Sequence, residues 1–143
     1  MINYVSGNIF SSECDVLVNP VNCVGVMGKG LALEFKLKYP DMFKTYQEVC
    51  KTKELRLGRP MFVKGADKSI VLFPTKYHWK EKSETNAIKN GLEVFSRGYK
   101  KLGIKSIAFP KLGCGLGGLD WAEVKPLMEQ YLSNLDIEVE IYI

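Results

Sequence analysis

The chain has 143 residues, of which 46% are hydrophobic and 25% are charged, and its formal net charge is +4. These values predict one ordinary globular domain over residues 1–143 with a sizeable core, and a charge too small to indicate nucleic-acid binding by itself. The N-terminus lacks a basic-then-apolar leader and no apolar run reaches the roughly 20 residues of a bilayer span, so we expect no membrane contact.

Strand and helix patterns alternate along the whole chain. In chain order, the predicted elements are strands over 2–5 and 15–19, helices over 31–39 and 41–51, strands over 61–64 and 69–73, a helix over 84–102, a strand over 106–110, a helix within 120–133 and a strand over 137–142. Pro40 predicts the break between the first two helices, and the turn residues at 65–67 predict a strand pair around them.

The apolar patterns indicate how these elements pack. Residues 16–18 and 70–73 are continuously apolar, which is typical of strands buried on both faces of a sheet between helices. The alternating pattern of 137–142 predicts an exposed edge strand. The longest helix is predicted to place one apolar face against the sheet, formed by Ile88, Leu92, Phe95, Tyr99 and Leu102.

The four cysteines lie far apart in the sequence. Cys14, Cys23, Cys50 and Cys114 form no C-x-x-C pair, so their spacing indicates neither a metal site nor a redox motif. We expect reduced thiols in a cytoplasmic protein, with no metal and no cofactor.

Two glycine-rich loops each follow a predicted strand and precede a predicted helix. The first covers residues 19–30 and the second covers 111–119. Glycine lets backbone N–H groups approach a ligand closely, and a helix N-terminus adds unpaired donors and a positive dipole end. Because open α/β sheets bind ligands at the carboxyl ends of their strands, two such loops facing each other predict a cradle for a diphosphate.

Each glycine loop taken alone is equally typical of a tight turn. Neither loop matches the usual nucleotide-binding motifs. Lys29 is followed by Gly30, so there is no P-loop, and the G-x-G-x-x-G pattern of residues 113–118 lies too near the C-terminus to begin a dinucleotide-binding half.

Several motifs in the same order resemble those of the macrodomains, which bind ADP-ribose. They are Ser6 to Phe10, Asp15 to Asn22, Gly28 to Phe35, Pro74 to Lys76 and Pro110 to Gly115. Residues 73–80 and 113–121 are most similar to the DarG-type branch of DNA ADP-ribosyl glycohydrolases, which neighbours the terminal ADP-ribose protein glycohydrolases. The resemblance implies a three-layer α/β/α fold with a mixed, roughly six-stranded sheet.

The resemblance also implies which residues hold the ligand. Asn8 and Ile9 are expected near the adenine, Asn22 near the distal ribose, and both glycine loops around the diphosphate. Asn8 stands where macrodomains commonly carry aspartate, and a turn or helix cap is the alternative role for it. The full predicted ADP-ribose site is Asn8, Ile9, Asn19, Asn22, Met27, Gly28, Lys29, Gly30, Thr75, Lys111, Gly113, Cys114, Gly115, Leu116 and Gly117.

Lys76 is the predicted catalytic residue, because the resembled branch carries a catalytic lysine at this Thr-Lys position. An unprotonated lysine amine can attack the anomeric carbon as the ADP-ribosyl bond breaks. The alternative is an ordinary exposed lysine in a lysine-rich loop. His78, Trp79, Lys80 and Asp120 are candidate substrate contacts. Asp120 is also a candidate N-cap, since Glu123 follows at capping-box spacing.

Gly117 stands where the protein-directed enzymes of this branch carry an aspartate. The expected activity is therefore removal of ADP-ribose from a thymidine base of DNA, by a monomer, with single-stranded DNA as a candidate partner because residues 76–82 mix aromatic and basic side chains. An ADP-ribose reader without catalysis, an ADP-ribose 1″-phosphate phosphatase and a scaffold with an empty cleft are the alternatives.

Overall fold

The computed structural model describes residues 1–143. Its six strands are β1 (Ile2–Val5), β2 (Val16–Val21), β3 (Met61–Val63), β4 (Ser69–Pro74), β5 (Ser106–Pro110) and β6 (Glu138–Tyr142). Its four α-helices are α1 (Gly30–Lys38), α2 (Pro40–Lys51), α3 (Thr85–Gly98) and α4 (Trp121–Leu132). Short 3₁₀ turns occupy Ile9–Ser11 and Gly115–Gly117.

The strands form one mixed sheet in the order β1-β6-β5-β2-β4-β3. Every neighbouring pair is parallel except β3 and β4, which form the predicted antiparallel pair. β2 is central, and its Leu17 lies opposite Ile70 of β4 and Ala108 of β5. The predicted mixed sheet of about six strands is confirmed.

Two apolar cores cover the two faces of this sheet. Alternate residues of β2, such as Val16 and Val18, pack with α3 and α4, whereas Leu17 and Val21 pack with α1 and α2. Since successive strand side chains point to opposite faces, a continuous apolar run serves both cores. The expected burial on both faces is confirmed, and the fold is a three-layer α/β/α arrangement.

The boundaries of α1, α2 and α4 lie close to those predicted. Pro40 is the first residue of α2, where its missing N–H costs no helical hydrogen bond. α3 presents Ile88, Leu92 and Phe95 to the core, as its periodicity predicts. None of the helices is both long and apolar enough to cross a bilayer.

The predicted position of the last strand is wrong. β6 lies between β1 and β5, inside the sheet, and the edges are β1 and β3. Its alternation arises because Val139 and Ile141 pack in the core with α3 and α4, while Glu140 points to the other face, beside the turn after β1. There the Ser12 hydroxyl donates to the Glu140 carboxylate at 2.6 Å.

The predicted extension of the long helix to Leu102 is also wrong. α3 ends at Gly98, and Leu102 is 47% exposed. The following turns close at Gly103, whose φ of +71° is left-handed, and the N–H of Ile104 donates to the carbonyl of Tyr99. This glycine-terminated turn redirects the chain into β5, so Leu102 points away from the core.

The contact between α3 and β4 predicts the effect of adding a single methyl group. A Cβ on Gly91 would lie 2.5 Å from Cζ of the fully buried Phe73 ring. Gly91→Ala gains about 1 kcal/mol of helix propensity, but overpacking a rigid core costs about 1–3 kcal/mol. We therefore expect a lower free energy of unfolding in urea denaturation.

Gly98→Ala is the matched control in the same helix. A Cβ at Gly98 meets no heavy atom within 4 Å, so this variant is expected to be at least as stable as the original protein. Equal stability changes for the two variants would contradict the packing explanation.

Candidate functional site

Three loops converge at the carboxyl edge of the sheet. β5, β2 and β4 are neighbouring parallel strands, so the segments that follow them leave from the same edge. These segments are the two glycine loops and the loop that carries Lys76. Open α/β sheets form their ligand crevices at this edge.

The first glycine loop is shaped by hydrogen bonds from one asparagine and one tyrosine. Asn22 Nδ2 donates to the carbonyl of Val26 at 2.8 Å, and its Oδ1 accepts from the N–H of Val24 at 3.0 Å. The fully buried Tyr46 hydroxyl donates to the same Oδ1 at 2.6 Å. Asn22 is itself buried, so its side chain holds the loop from within. Its predicted contact with the distal ribose stays a prediction.

The two glycine loops meet, as expected. Gly30 begins α1 with a φ of +58°, and a Cβ there would lie 2.8 Å from Cδ1 of Leu116 in the second loop. Gly28 and Lys29 are exposed just before this helix, whose first turn leaves N–H groups without intrahelical partners. The helix N-terminus therefore presents free donors beside the second loop.

The second glycine loop depends on the absence of side chains at two positions. Gly113 has a φ of +72°, and a Cβ there would lie 2.7 Å from Cδ1 of Ile88. A Cβ on Gly117 would lie 2.5 Å from Oγ of the buried Ser83. The backbone closes over this position, because the N–H of Ser83 donates to the carbonyl of Gly117 at 2.8 Å. Lys111, Gly115 and Leu116 are exposed on the same loop, and Cys114 is half-buried.

Lys76 lies in a segment fixed at both ends. The N–H of Thr75 donates to the carbonyl of Val21 at 3.0 Å, and the N–H of Cys23 donates to the carbonyl of Tyr77 at 2.8 Å. The half-buried Lys76 side chain thus extends from backbone anchored directly to the first glycine loop. We call residues 75–84, between β4 and α3, the lysine loop. Because the N–H of Ser83 donates to the second glycine loop, the lysine loop is hydrogen-bonded to both glycine loops.

The four candidate substrate contacts lie on the rim. Half-buried His78 and exposed Trp79 and Lys80 form the outer turn of the lysine loop. Asp120 occupies the N-cap position of α4, as predicted, and its carbonyl accepts from the N–H of Glu123 at 3.0 Å. Its side chain makes no capping hydrogen bond, so the predicted capping box is wrong and the carboxylate stays exposed.

A cavity of about 380 Å³ opens farther along the same edge, beside the ends of β5 and β6. It is lined by Gly7, Asn8, Ile9, Leu31, Glu34, Pro110 and Tyr142. Its floor is held in part by the Tyr142 hydroxyl, which donates to the Glu140 carboxylate at 3.1 Å.

Asn8 caps the short turn at Ile9–Ser11. Its Oδ1 accepts from the N–H of Phe10 at 3.0 Å, which is the capping role that the sequence offers as the alternative to an adenine contact. Asn8 also lines the cavity, and an amide oxygen that accepts one hydrogen bond can accept a second.

Sequence reasoning missed Glu34 and Tyr142 as cavity residues. Tyr142 is the last residue of β6, and placing that strand beside β5 would have put it at the carboxyl edge. Glu34 lies one helical turn after Gly30, on the same side of α1 as Leu31. Both signals require the correct strand order.

Three other predicted ligand residues are buried beneath the loops. Asn19 and Met27 have 0% and 1% of their surfaces exposed, and Asn19 Nδ2 contacts Met27 Sδ at 3.7 Å. Asn19 Oδ1 has no hydrogen-bond partner. Thr75 Oγ1 lies 3.1 Å from Ser83 Oγ, also in the interior. Their predicted ligand contacts stay predictions, since these side chains support the loops from below.

The thiols near the crevice are poor nucleophiles. Burial raises the pKa of the Cys114 thiol above its ordinary value, although the nearby Lys111 ammonium opposes the shift. Burial, with a smaller contribution from neighbouring Cys50, raises the pKa of Cys23 to about 11. Both thiols therefore hold their protons at neutral pH, and the thiolate is the reactive form. Clusters of His, Cys, Asp and Glu suited to a metal ion are absent.

The sheet order and the three converging loops define an α/β domain with a ligand crevice at its carboxyl edge. The sequence matches the Macro domain family model over residues 18–128, and the chain belongs to the macrodomain family.

Named relatives agree with this family assignment. The chain is 45% identical over 161 aligned residues to a DNA ADP-ribosyl transferase-DNA ADP-ribosyl glycohydrolase fusion protein of Thermosipho africanus, covering 99% of this chain and 42% of the relative. The macrodomain of Mycobacterium tuberculosis DarG superposes with a TM-score of 0.95 at 44% identity, covering 99% and 97% of the two chains. Thermosipho africanus DarTG in complex with ADP-ribose superposes with a TM-score of 0.96 at 46% identity, covering 99% and 41%.

Tyr46 provides a test of how the first glycine loop is held. Tyr46→Phe removes the hydrogen bond to Asn22 Oδ1 without changing the ring, so we expect a loss of about 1–2 kcal/mol in the free energy of unfolding. The loop should also loosen, which would weaken binding of a ligand to its backbone donors. Urea denaturation and calorimetry with ADP-ribose measure the two effects.

Tyr39→Phe is the matched control, because Tyr39 lies between α1 and α2 outside this network. If Tyr46→Phe and Tyr39→Phe changed stability equally, the hydrogen bond to Asn22 would not be what holds the loop.

Proposed function

We propose that this macrodomain binds ADP-ribose along the carboxyl edge of its sheet and hydrolyses the ADP-ribosyl bond to a thymidine base of DNA. The relative from Thermosipho africanus carries a DNA ADP-ribosyl glycohydrolase by name, and its DarTG protein has been solved with ADP-ribose. This chain spans 42% of that relative's length, so the proposal concerns the macrodomain portion.

The order of sites along the edge supports this ligand. The 380 Å³ cavity lies at β6 and β5, the glycine loops lie at β5 and β2, and Lys76 follows the neighbouring strand β4. An adenosine in the cavity would direct its diphosphate toward the loop donors. The distal ribose would then reach the lysine loop, in the order in which ADP-ribose is built.

The observation that carries the catalytic proposal is the anchored backbone around Lys76. Hydrogen bonds from Thr75 and to Tyr77 fix the segment against the first glycine loop, so the amine can be held near a ribose bound there. In the proposed step, unprotonated Nζ forms a bond to the anomeric carbon as the bond from that carbon to the base breaks, and the departing base takes up the proton that the amine loses. Water then releases ADP-ribose and restores the amine.

Other nucleophiles and assistants are disfavoured by the surroundings. The thiols of Cys23 and Cys114 are protonated at neutral pH, because burial raises the pKa of each. An aspartate at position 117, which is expected of the protein-directed enzymes, would place its Cβ 2.5 Å from Ser83 Oγ. Ser83 and Gly117 therefore suit a site without that aspartate, which favours the DNA-directed reaction.

The proposal also includes a cytosolic monomer that takes single-stranded DNA. All four cysteines are free, which suits a reducing compartment. Sedimentation of the purified protein with and without a single-stranded oligonucleotide measures both the monomer and the complex.

The direct test is an assay of Lys76 variants on an oligonucleotide carrying ADP-ribosylated thymidine. Lys76→Ala is expected to lower the rate of ADP-ribose release by about a hundredfold or more, the scale typical of removing a group that acts on the reacting atoms. Lys76→Arg should be equally impaired, because arginine keeps the positive charge but stays protonated and cannot attack. Lys105→Ala, an exposed lysine at the opposite edge of the sheet, serves as the control.

Each alternative function predicts a different outcome when the protein is also tested with ADP-ribose alone and with ADP-ribose 1″-phosphate. Binding of ADP-ribose with no release from any substrate would identify a reader. Phosphate released from ADP-ribose 1″-phosphate would identify a phosphatase, and no binding heat with ADP-ribose would identify a scaffold. Full activity of Lys76→Ala would move the chemistry elsewhere in the crevice.

A further inference from the structure

We propose that the exposed aromatic and basic side chains beside Lys76 bind unmodified nucleotides next to the ADP-ribosylated one in single-stranded nucleic acid. We call this the flank surface and define it as Tyr77, Trp79, Lys80 and Lys82. The inference rests on the proposed function, which takes single-stranded DNA as the partner. It adds which residues bind the strand beside the modified nucleotide, and that these contacts favour the polymer over the modified nucleoside.

The first support is the exposure of two aromatic rings in one short segment. Tyr77 is 52% exposed and Trp79 is 46% exposed, and Tyr4, on the edge strand β1, is the other exposed aromatic residue. Burial of aromatic surface is favourable, so two open rings within three residues indicate a binding partner. Neither ring packs in either core.

The second support is that the turn carrying Trp79 is held by its own hydrogen bonds. The N–H of His78 donates to the Glu81 carboxylate at 2.8 Å, and the N–H of Glu81 donates back to the His78 carbonyl at 3.0 Å. The N–H of Lys80 donates to Nδ1 of His78 at 3.1 Å. The turn therefore keeps its shape without a hydrogen bond from the indole. The Trp79 ring packs beside the His78 ring, with centroids 5.2 Å apart, and its exposed surface is open to stacking.

The third support is the charge around these rings. Lys80 Nζ lies 5.2 Å from the centre of the Trp79 ring, in cation–π range. Lys82 runs along the second glycine loop, where its Cγ would lie 3.3 Å from a Cβ on Gly118. The acidic residue within the turn, Glu81, is already paired with backbone N–H. Bases stacked on aromatic rings with phosphates near lysines are the general mode of single-strand binding.

The position of the flank surface explains why it would contact neighbours of the modified nucleotide. Tyr77 directly follows Lys76; its carbonyl is one of the anchors of the segment, while its ring is 52% exposed. If ADP-ribose fills the crevice with its distal ribose at Lys76, the base and the strand attached to it must leave past residues 77–82. An acidic protein could pair its carboxylates with the lysines, but it would leave the exposed rings without stacking partners.

The test compares two substrates with the same ADP-ribosyl bond. One is ADP-ribosylated thymidine as a nucleoside, and the other is a single-stranded oligonucleotide containing it. We expect a lower KM for the oligonucleotide, and Trp79→Ala should reduce this KM advantage by about tenfold, within the range measured for loss of one stacked base. Trp79→Phe should recover most of the advantage, and Lys105→Ala should leave it intact.

Anisotropy with an unmodified single-stranded oligonucleotide separates this inference from the proposed function. If the original protein hydrolysed neither substrate, the proposed function would fail. Weaker binding of the unmodified strand by Trp79→Ala would still support the flank surface. Equal KM values for the two substrates, or tighter binding of an acidic polypeptide than of the oligonucleotide, would overturn it.

Discussion

The candidate site depends on backbone hydrogen bonds that join three loops from neighbouring strands. Residues 75–77 are paired with the end of β2 and the first glycine loop, while Ser83 is paired with Gly117 of the second loop. Each bond is worth only about 1 kcal/mol alone. Together they connect the loop that carries Lys76 to both glycine loops, so the backbone from which the Lys76 side chain extends is fixed at both ends.

The absence of side chains at two glycines lets these loops pack closely against their neighbours. Gly117 has no Cβ because Ser83 occupies that space, and Gly113 has none because Ile88 lies beneath it. Below the first loop, Tyr46 and Asn22 perform the corresponding task with side-chain hydrogen bonds. Burial raises the pKa of Tyr46, with a smaller contribution from Cys50, so its hydroxyl remains a donor throughout the physiological range. Packing and hydrogen bonds on the buried side of the loops thus fix their shape, and the backbone on the other side faces the crevice.

The sequence predicted local features better than long-range ones. Periodicity and turn residues were sufficient to locate the four helices, apart from the C-terminal end of α3, and the strand pair around residues 65–67, because those signals lie within a few residues of each other. The prediction that β6 is an edge strand was wrong, because an alternating pattern shows only that one face of the strand is polar. A strand with one polar face can also lie inside a sheet, where no helix covers that face. The same error concealed Tyr142 as a cavity residue. The role of Asn22 in shaping its loop also required the distant Tyr46, which no local pattern connects to it.

The buried floor and the exposed rim of the crevice differ in how freely their side chains can be changed. Under the proposed function, this difference favours the rim as the place where the substrate is selected. The floor of the crevice is built of glycine backbone and buried side chains such as Asn19. In the proposed complex these groups would hold the diphosphate and sugars whatever polymer is attached to them. The outer turn of the loop after β4 differs, since Trp79 and Lys80 are exposed, and the Trp79 ring contacts His78 and Lys80 of the same turn rather than either core. Rim residues can therefore change at little cost to the fold, whereas a side chain added at Gly117 must displace Ser83. Under the proposed function, substitutions at Trp79 and Lys80 would therefore change which polymer is bound at less cost to the fold than substitutions in the glycine loops.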